Sequence, residues 1–197
     1  MYPSVTAIER VAAPSADVLS LADAKAHMKV DTSDEDSLIS AYVAAATSLI
    51  DGDGWLGRAM ITQDWAQWVN QAPGWVRLSM GPFQELVSVQ YYDVDNVLQT
   101  ATLSDFETRK QGDFVICKPK EDFEWPAAET RQDAIKITYR AGWGDVATDV
   151  PPDLVAAIKL MTSHLYENRS ATTEMKLQNI PMGVQALVGR HRVGWYG

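Results

Sequence analysis

The apolar positions of the chain change period twice. They recur with a helical period before about residue 60, alternate with period two from there to residue 143, and then return to a helical period. In the first segment, "SLADAKAHMKV" predicts a short helix. Ser20 is placed to cap it, and Asp23 falls in its first turn, where a carboxylate suits the helix dipole. "DTSDEDSLISAYVAAATSLIDGDG" predicts a longer helix, with Thr32 and Glu35 at capping-box spacing and Gly52 or Gly54 as its stop. Leu38, Tyr42, Ala45 and Leu49 form one ridge of that helix; Ile39, Val43, Ala46 and Ile50 form the next. The alanines permit close approach by another helix or a neighbouring subunit.

The middle segment reads as strands: "MITQDWAQWV", "WVRLSM", "LVSVQYYD", "FVICKP" and "AIKITYRAGW" are rich in β-branched and aromatic residues. Turn signals at "APG", "GPF", "DVDN" and "KQGD" separate them. After Tyr139 and Arg140, Gly142 and Gly144 give turn freedom around Trp143. Pro151 and Pro152 then suit the first turn of a helix, and Asp153 its positive end. Leu154, Ile158, Met161 and Leu165 continue as a helical stripe. This Gly/Trp/Pro turn is expected to return the chain from the β segment to the helices, with the third helix packed on the second.

The expected fold class is therefore α+β: a small bundle of three main helices with an inserted antiparallel β unit and an extended C-terminal docking tail. The expected boundaries are 1–59 for an N-terminal arm and helical pair, 60–143 for the β unit, 144–179 for the closing helix and 180–197 for the tail. Residues 1–19 are weakly patterned and read as an arm or loose start. The tail is too short for a core of its own, so it packs back on its own chain or docks on another.

Length and charge narrow the function. The chain has 197 residues, 46% hydrophobic, enough for a substantial core. Its net charge of −9 argues against non-specific phosphate binding and against a basic membrane-surface helix. Residues 150–197 run the other way, with five basic and three acidic residues, and could seek an acidic partner. The single cysteine, Cys117, excludes an internal disulfide and a Cys-based zinc site. It lies in an apolar run and reads as a buried, inert thiol. No run of about 18 apolar residues is present, so no membrane helix is expected. Residues 1–20 lack the pattern of a signal peptide, and a reducing compartment is the expectation.

Candidate chemistry is sparse. His27, His164 and His191 have no metal spacing, and phosphate-loop and hydrolase motifs are absent. "DGDG" at 51–54 resembles the start of a calcium loop, but Trp55 stands where an oxygen ligand belongs, so a helix stop is preferred. Asp31, Asp34, Glu35 and Asp36 could imitate a carboxylate cluster, yet helix-start chemistry accounts for them. Trp65, Trp68, Trp75 and Trp125 could stack on sugars or bases, but packing is the preferred reading. No catalytic residue, metal ligand or cofactor is assigned.

Three pieces resemble the head–tail connector (adaptor) family of long-tailed phages and gene transfer agent particles. "LADAKAHMKVDTSDEDSLISAYVAAATSLIDG" is similar to its opening helical pair, "YRAGWGDVATDVPPDLVAAIKLMTSHLYENR" to its Gly/Trp turn, Val-Pro and closing helix, and "VQALVGRHRVGW" to its terminal Arg-containing ending. The resemblance implies a non-enzymatic ring of about twelve subunits at the head–tail junction of a virion or gene-transfer particle, made in the bacterial cytoplasm. The ring would lie between the portal and the stopper or tail, passing DNA without sequence-specific binding and touching no membrane. It also implies a portal-binding tail, for which Ile180, Val184, Leu187, Val188, Arg190, Arg192 and Trp195 are the candidates. Leu38, Tyr42, Val43, Leu49, Leu154, Ile158, Met161 and Leu165 would supply the helical core and subunit contacts, and Gly142, Trp143, Gly144, Pro151 and Pro152 the turn. An acidic channel wall would suit a conduit that must not grip phosphates. The rival readings are a metal-dependent DNA-packaging or processing enzyme using residues 31–36, and a ligand-binding β module.

Overall fold

The computed structural model describes residues 5–125, 131–168 and 181–192. The chain divides into two units. One comprises residues 1–14 and 62–142, the other residues 15–61 and 143–197.

The first unit is built from β-strands. Strands β1 (Val5–Ala12), β2 (Gln63–Val69), β4 (Phe83–Tyr92), β5 (Leu98–Ala101) and β8 (Ile135–Ala141) form a sheet in the order β1-β2-β8-β4-β5. Every neighbouring pair is antiparallel. Strands β3 (Val76–Leu78), β6 (Phe106–Gln111) and β7 (Phe114–Pro119) form a second antiparallel sheet in the order β3-β7-β6. The period of two along β2 and β8 sorts the larger sheet's faces. Trp65, Gln67 and Val69 stand opposite Tyr139, Ile137 and Ile135, and all six are buried. The alternate positions are mixed: Ala66 is buried, Trp68 and Thr138 lie beside it, and Asp64, Lys136 and Arg140 bring charge. Arg140 Nε and Nη2 bind the two Asp64 carboxylate oxygens at 2.8 and 3.3 Å, and its Nη1 reaches Glu85 at 2.5 Å. Lys136 lies 5.1 Å from the Trp68 ring centroid on the same face.

Two buried polar side chains fix the segment around β3. Gln67 donates to the Arg77 carbonyl at 2.8 Å and accepts from the Ser79 N–H at 3.0 Å. The Tyr139 hydroxyl accepts from the Met80 N–H at 2.9 Å. Burial pushes the Tyr139 phenol up to about 12, which keeps it neutral. Phe106, Phe123 and Trp125 form a mutually contacting aromatic cluster, with ring centroids 5.0 to 5.4 Å apart. Cys117 is buried, in agreement with its sequence context.

β1 is a difference from expectation. It occupies residues that read as a loose start, because its sequence has no apolar alternation. As an edge strand it buries little on either face and is held by its ladder to β2.

The second unit is helical. Helix α1 (Leu21–Met28) begins at Ser20, whose hydroxyl oxygen accepts from the Asp23 N–H at 3.1 Å as the sequence predicts. It ends at Lys29 in the left-handed region. Helix α2 (Asp36–Ile50) starts without the expected Thr32/Glu35 box: its cap residue is Glu35 and no side chain caps it. The Glu35 carboxylate instead accepts from the Tyr166 hydroxyl at 2.5 Å. Helix α3 (Pro152–Glu167) opens with Pro151 at the cap and Pro152 in the first turn. A fourth helix, α4 (Met182–Gly189), lies in the stretch that read as an extended tail.

The core of this unit is one cluster. α2 supplies Ile39, Val43, Ala46 and Ile50; α3 supplies Leu154, Ala157, Ile158 and Met161; α4 supplies Val184 and Val188. α3 packs against each of α1, α2 and α4. The loop after α2 is closed by Asp51, a buried residue whose Oδ1 accepts from the Met60 N–H at 2.7 Å. Gly54 must be glycine here, since a Cβ would stand 2.5 Å from the Leu49 carbonyl oxygen.

Candidate functional site

The residues singled out as a docking tail fall into two groups. On α4, spacing of four residues puts Val184 and Val188 on one face, and that face is buried in the helical core. Leu187 packs partly against the same cluster. Val184 and Val188 thus pack back on their own unit, and Leu187 is half-buried at the edge of the same core. The apolar i, i+4 pair that read as an interface is buried by its own unit. Arg190 and Arg192 follow the helix and are exposed. Ile180 and Trp195 lie outside the described residues.

The end of α4 is tied to the beginning of α3. His191 Nε2 lies 2.7 Å from Asp153 Oδ2, and Arg190 Nη1 lies 3.7 Å from the same oxygen. The His191 hydrogen bond is the main cause holding the Asp153 carboxyl below the usual range; Arg190 adds a smaller attraction and burial opposes both. The His191 ring also meets Trp143 edge-on, with centroids 6.1 Å apart. Sequence reading missed this tie: residues 153 and 191 are 38 positions apart and no motif joins them.

The turn residues are held by close backbone contacts. Gly142 adopts φ 147°, a conformation that favours glycine. The Trp143 N–H donates to the Met60 carbonyl at 2.9 Å, and Gly144 forms a parallel bridge with Ile61. A Cβ on Gly144 would stand 2.2 Å from Asp149 Oδ2 and 2.6 Å from Asp149 Cβ. The Asp149 carboxylate accepts from the Val146 N–H at 3.2 Å, closing the short 3₁₀ turn Ala147–Asp149. Val150 is buried immediately before the two prolines.

Among the candidate contact residues, Val43, Leu154, Ile158 and Met161 are buried core, and Leu165 packs at its edge. Leu38 and Tyr42 are half-buried, while Ala45 and Leu49 are exposed. The two ridges of α2 thus differ. The ridge through Ile39 faces its own core, and the ridge through Tyr42 faces outward.

The acidic residues near 31–36 do not converge on a site. Asp36 pairs with Lys25 at 2.5 Å and Glu35 binds Tyr166, while Asp31 and Asp34 are exposed. Among the described residues, no group of three or more His, Cys, Asp or Glu side chains is placed to hold a metal ion. Asp51 of "DGDG" is committed to the loop. Nor do the tryptophans form a stacking platform. Trp65 is buried, Trp68 and Trp125 are half-buried beside Lys136 and the Phe106 cluster, and Trp75 is exposed.

Comparison with known proteins supplies what the side chains do not. The model of a family described as head completion protein matches residues 17–193. No protein of curated function matches the chain significantly by sequence. Among solved structures, a chain from the neck of an empty gene transfer agent particle, computed with C6 symmetry, is similar with a TM-score of 0.76 at 20% identity. The match covers 95% of this chain and 96% of that one. A chain from the neck of the native particle, computed with C12 symmetry, gives 0.73 at 19% identity over 95% and 96%. A chain from the virion of the native particle gives 0.73 at 20% identity over 95% of each. At these identities the likenesses establish the fold.

Proposed function

The chain belongs to the head completion protein family, a structural and non-enzymatic class of particle component, and on that premise we propose that it is a ring subunit of the head–tail junction. In this reading the ring lies between the portal and the stopper or tail and forms part of the conduit for DNA. The observation that carries the reading is the family match over residues 17–193, together with a fold shared along 95% of the chain with a subunit of a particle neck. The symmetries stated for the similar necks, C6 and C12, support a cyclic assembly of this chain as well.

Cyclic rings are made by heterologous contacts, in which two different patches of each subunit meet. The outward ridge of α2, through Leu38, Tyr42, Ala45 and Leu49, is our candidate for one of them. Arg190 and Arg192, exposed at the end of α4, are the candidate portal contacts among the described tail residues. The overall charge of −9 suits a channel wall that DNA must slide past, because tight phosphate contact would oppose passage.

Deletion of the gene from a producing strain tests the role. The expected outcome is DNA-filled heads without tails, separable from complete particles on a density gradient and restored to tailed particles by the gene supplied in trans. Normal yields of tailed particles from the deletion strain would refute the proposal.

A further inference from the structure

The β4–β5 hairpin carries apolar side chains where a solvated turn is expected. Val94 is 65% exposed, Val97 51% and Leu98 44%. The tip is not loosely built. The Asp93 carboxylate accepts from the N–H groups of Asp95 and Val97 at 3.0 and 2.9 Å and from the Gln99 amide at 2.7 Å. The Asp93 N–H returns a bond to the Val97 carbonyl at 3.0 Å, and Asn96 takes the left-handed conformation that closes the turn. Arg131 stacks 3.7 Å from the Tyr92 ring centroid and also binds Asn96. Beside the tip, β5 is the last strand of its sheet, and among the described residues nothing pairs with its outer side. Its sequence, Leu98–Ala101, holds none of the charges or prolines that usually guard an open edge.

A preorganised apolar tip beside an unguarded edge loses little conformational freedom when it is covered. We propose that this tip is the second subunit-contact patch and that it docks on the outward α2 ridge of a neighbouring copy of the same chain. The inference rests on the ring reading above. A second copy is the occupant because a cyclic ring requires each subunit to present two unlike surfaces. The hairpin tip and the α2 ridge are such a pair: one is a projecting turn and the other a helix face with Ala45 as a shallow centre. At the tip Arg131 is paired with Asp133 and stacked on Tyr92, and the α2 ridge through Leu38, Tyr42, Ala45 and Leu49 holds no basic residue, which disfavours a nucleic acid as the occupant.

Cross-linking between two single variants tests it. Val97→Cys and Ala45→Cys chains are co-expressed in a producing strain, particles are purified and mildly oxidised, and dimers are read on a non-reducing gel. The native Cys117 is buried and does not compete. The control pairs Ala45→Cys with Asp113→Cys, which places the thiol at another exposed turn of the same unit. A dimer yield several-fold above the control is expected. Particles that contain the chain in many copies but give no excess over the control would overturn this contact and leave the ring standing. Absence of the wild-type chain from purified particles would overturn the ring reading and this inference together.

Discussion

Replacing Gly144 by alanine isolates what the Gly/Trp turn requires. Gly144 is not at a positive φ, so alanine carries no backbone penalty there and would gain a few tenths of a kcal/mol, up to about 1, from a stiffer unfolded chain. The opposing effect is steric. The new methyl would lie 2.2, 2.5 and 2.6 Å from Oδ2, Cγ and Cβ of Asp149. Rotating the carboxylate away cannot relieve the contact at Cβ, so the 3₁₀ turn itself must move. Moving it also lengthens the bond from the Val146 N–H to Asp149, a charge-assisted hydrogen bond contributing about 1.5–3 kcal/mol. Clash and lost bond together exceed the entropic gain, and the net cost is about 3 kcal/mol. For a chain of this length that lowers the melting temperature of the helical unit by about 6–12 °C. Thermal unfolding followed by helical circular dichroism reads it directly. A double-mutant cycle with Asp149→Gly supplies the control, because that variant removes all three crowding atoms. Gly144→Ala is expected to cost little in the Asp149→Gly background. An equal cost in both backgrounds, or no cost in either, would refute the steric account.

Three further outcomes follow from the packing. Val184→Asp, which buries a carboxylate in the helical core, is expected to cost about 3 kcal/mol or more in urea unfolding, while Ala186→Asp on the exposed face of α4 costs under about 0.5; equal effects would mean that α4 does not pack as described. Asp153 has its carboxyl held below the ordinary value of 3.8, so it binds fewer protons when folded and its pairing with His191 stabilises the unit above that pH. The stability gap between wild type and Asp153→Asn, measured by urea titration, is expected to be full near pH 6 and to shrink as pH falls below about 4 through the lowered folded value; a gap that widens on acidification would contradict the assignment. Burial pushes the Cys117 thiol up to about 12, so a thiol reagent at pH 8 is expected to label the unfolded chain and spare the native one, and rapid native labelling would show that β7 opens.

Legibility followed how local each determinant is. Ser20, Asp23 and the proline pair declare their helix ends because their partners lie within one turn. The inward ridge of α2 and the stripe of α3 were legible from periodicity, since one buried face imposes it. The capping box at Thr32 is not formed, because the helix starts three residues later with Glu35 itself as the cap, and its carboxylate binds Tyr166, 131 residues away, which spacing cannot reveal. β1 and β6 escaped notice for another reason. β1 buries none of its residues and β6 only Phe106, so neither needs apolar alternation. α4 reads as a tail that packs back or docks elsewhere, because its two buried valines are too few to mark a helix and the surface that covers them is built by residues far back in the chain. The exposed valines of the β4–β5 turn were legible as a turn and not as a surface, since "DVDN" records no exposure.

A ring seated on the portal is expected to co-migrate with the portal ring of the particle that carries it. Gel filtration with mass detection would compare the wild-type chain with Arg190→Glu/Arg192→Glu. The double variant is preferable to a truncation, which would strip Val184 and Val188 from the core. The expected result is a complex whose added mass equals a whole ring of wild-type subunits, and a weaker complex or none with the double variant. A wild-type chain that elutes apart from the portal ring at every concentration would contradict it.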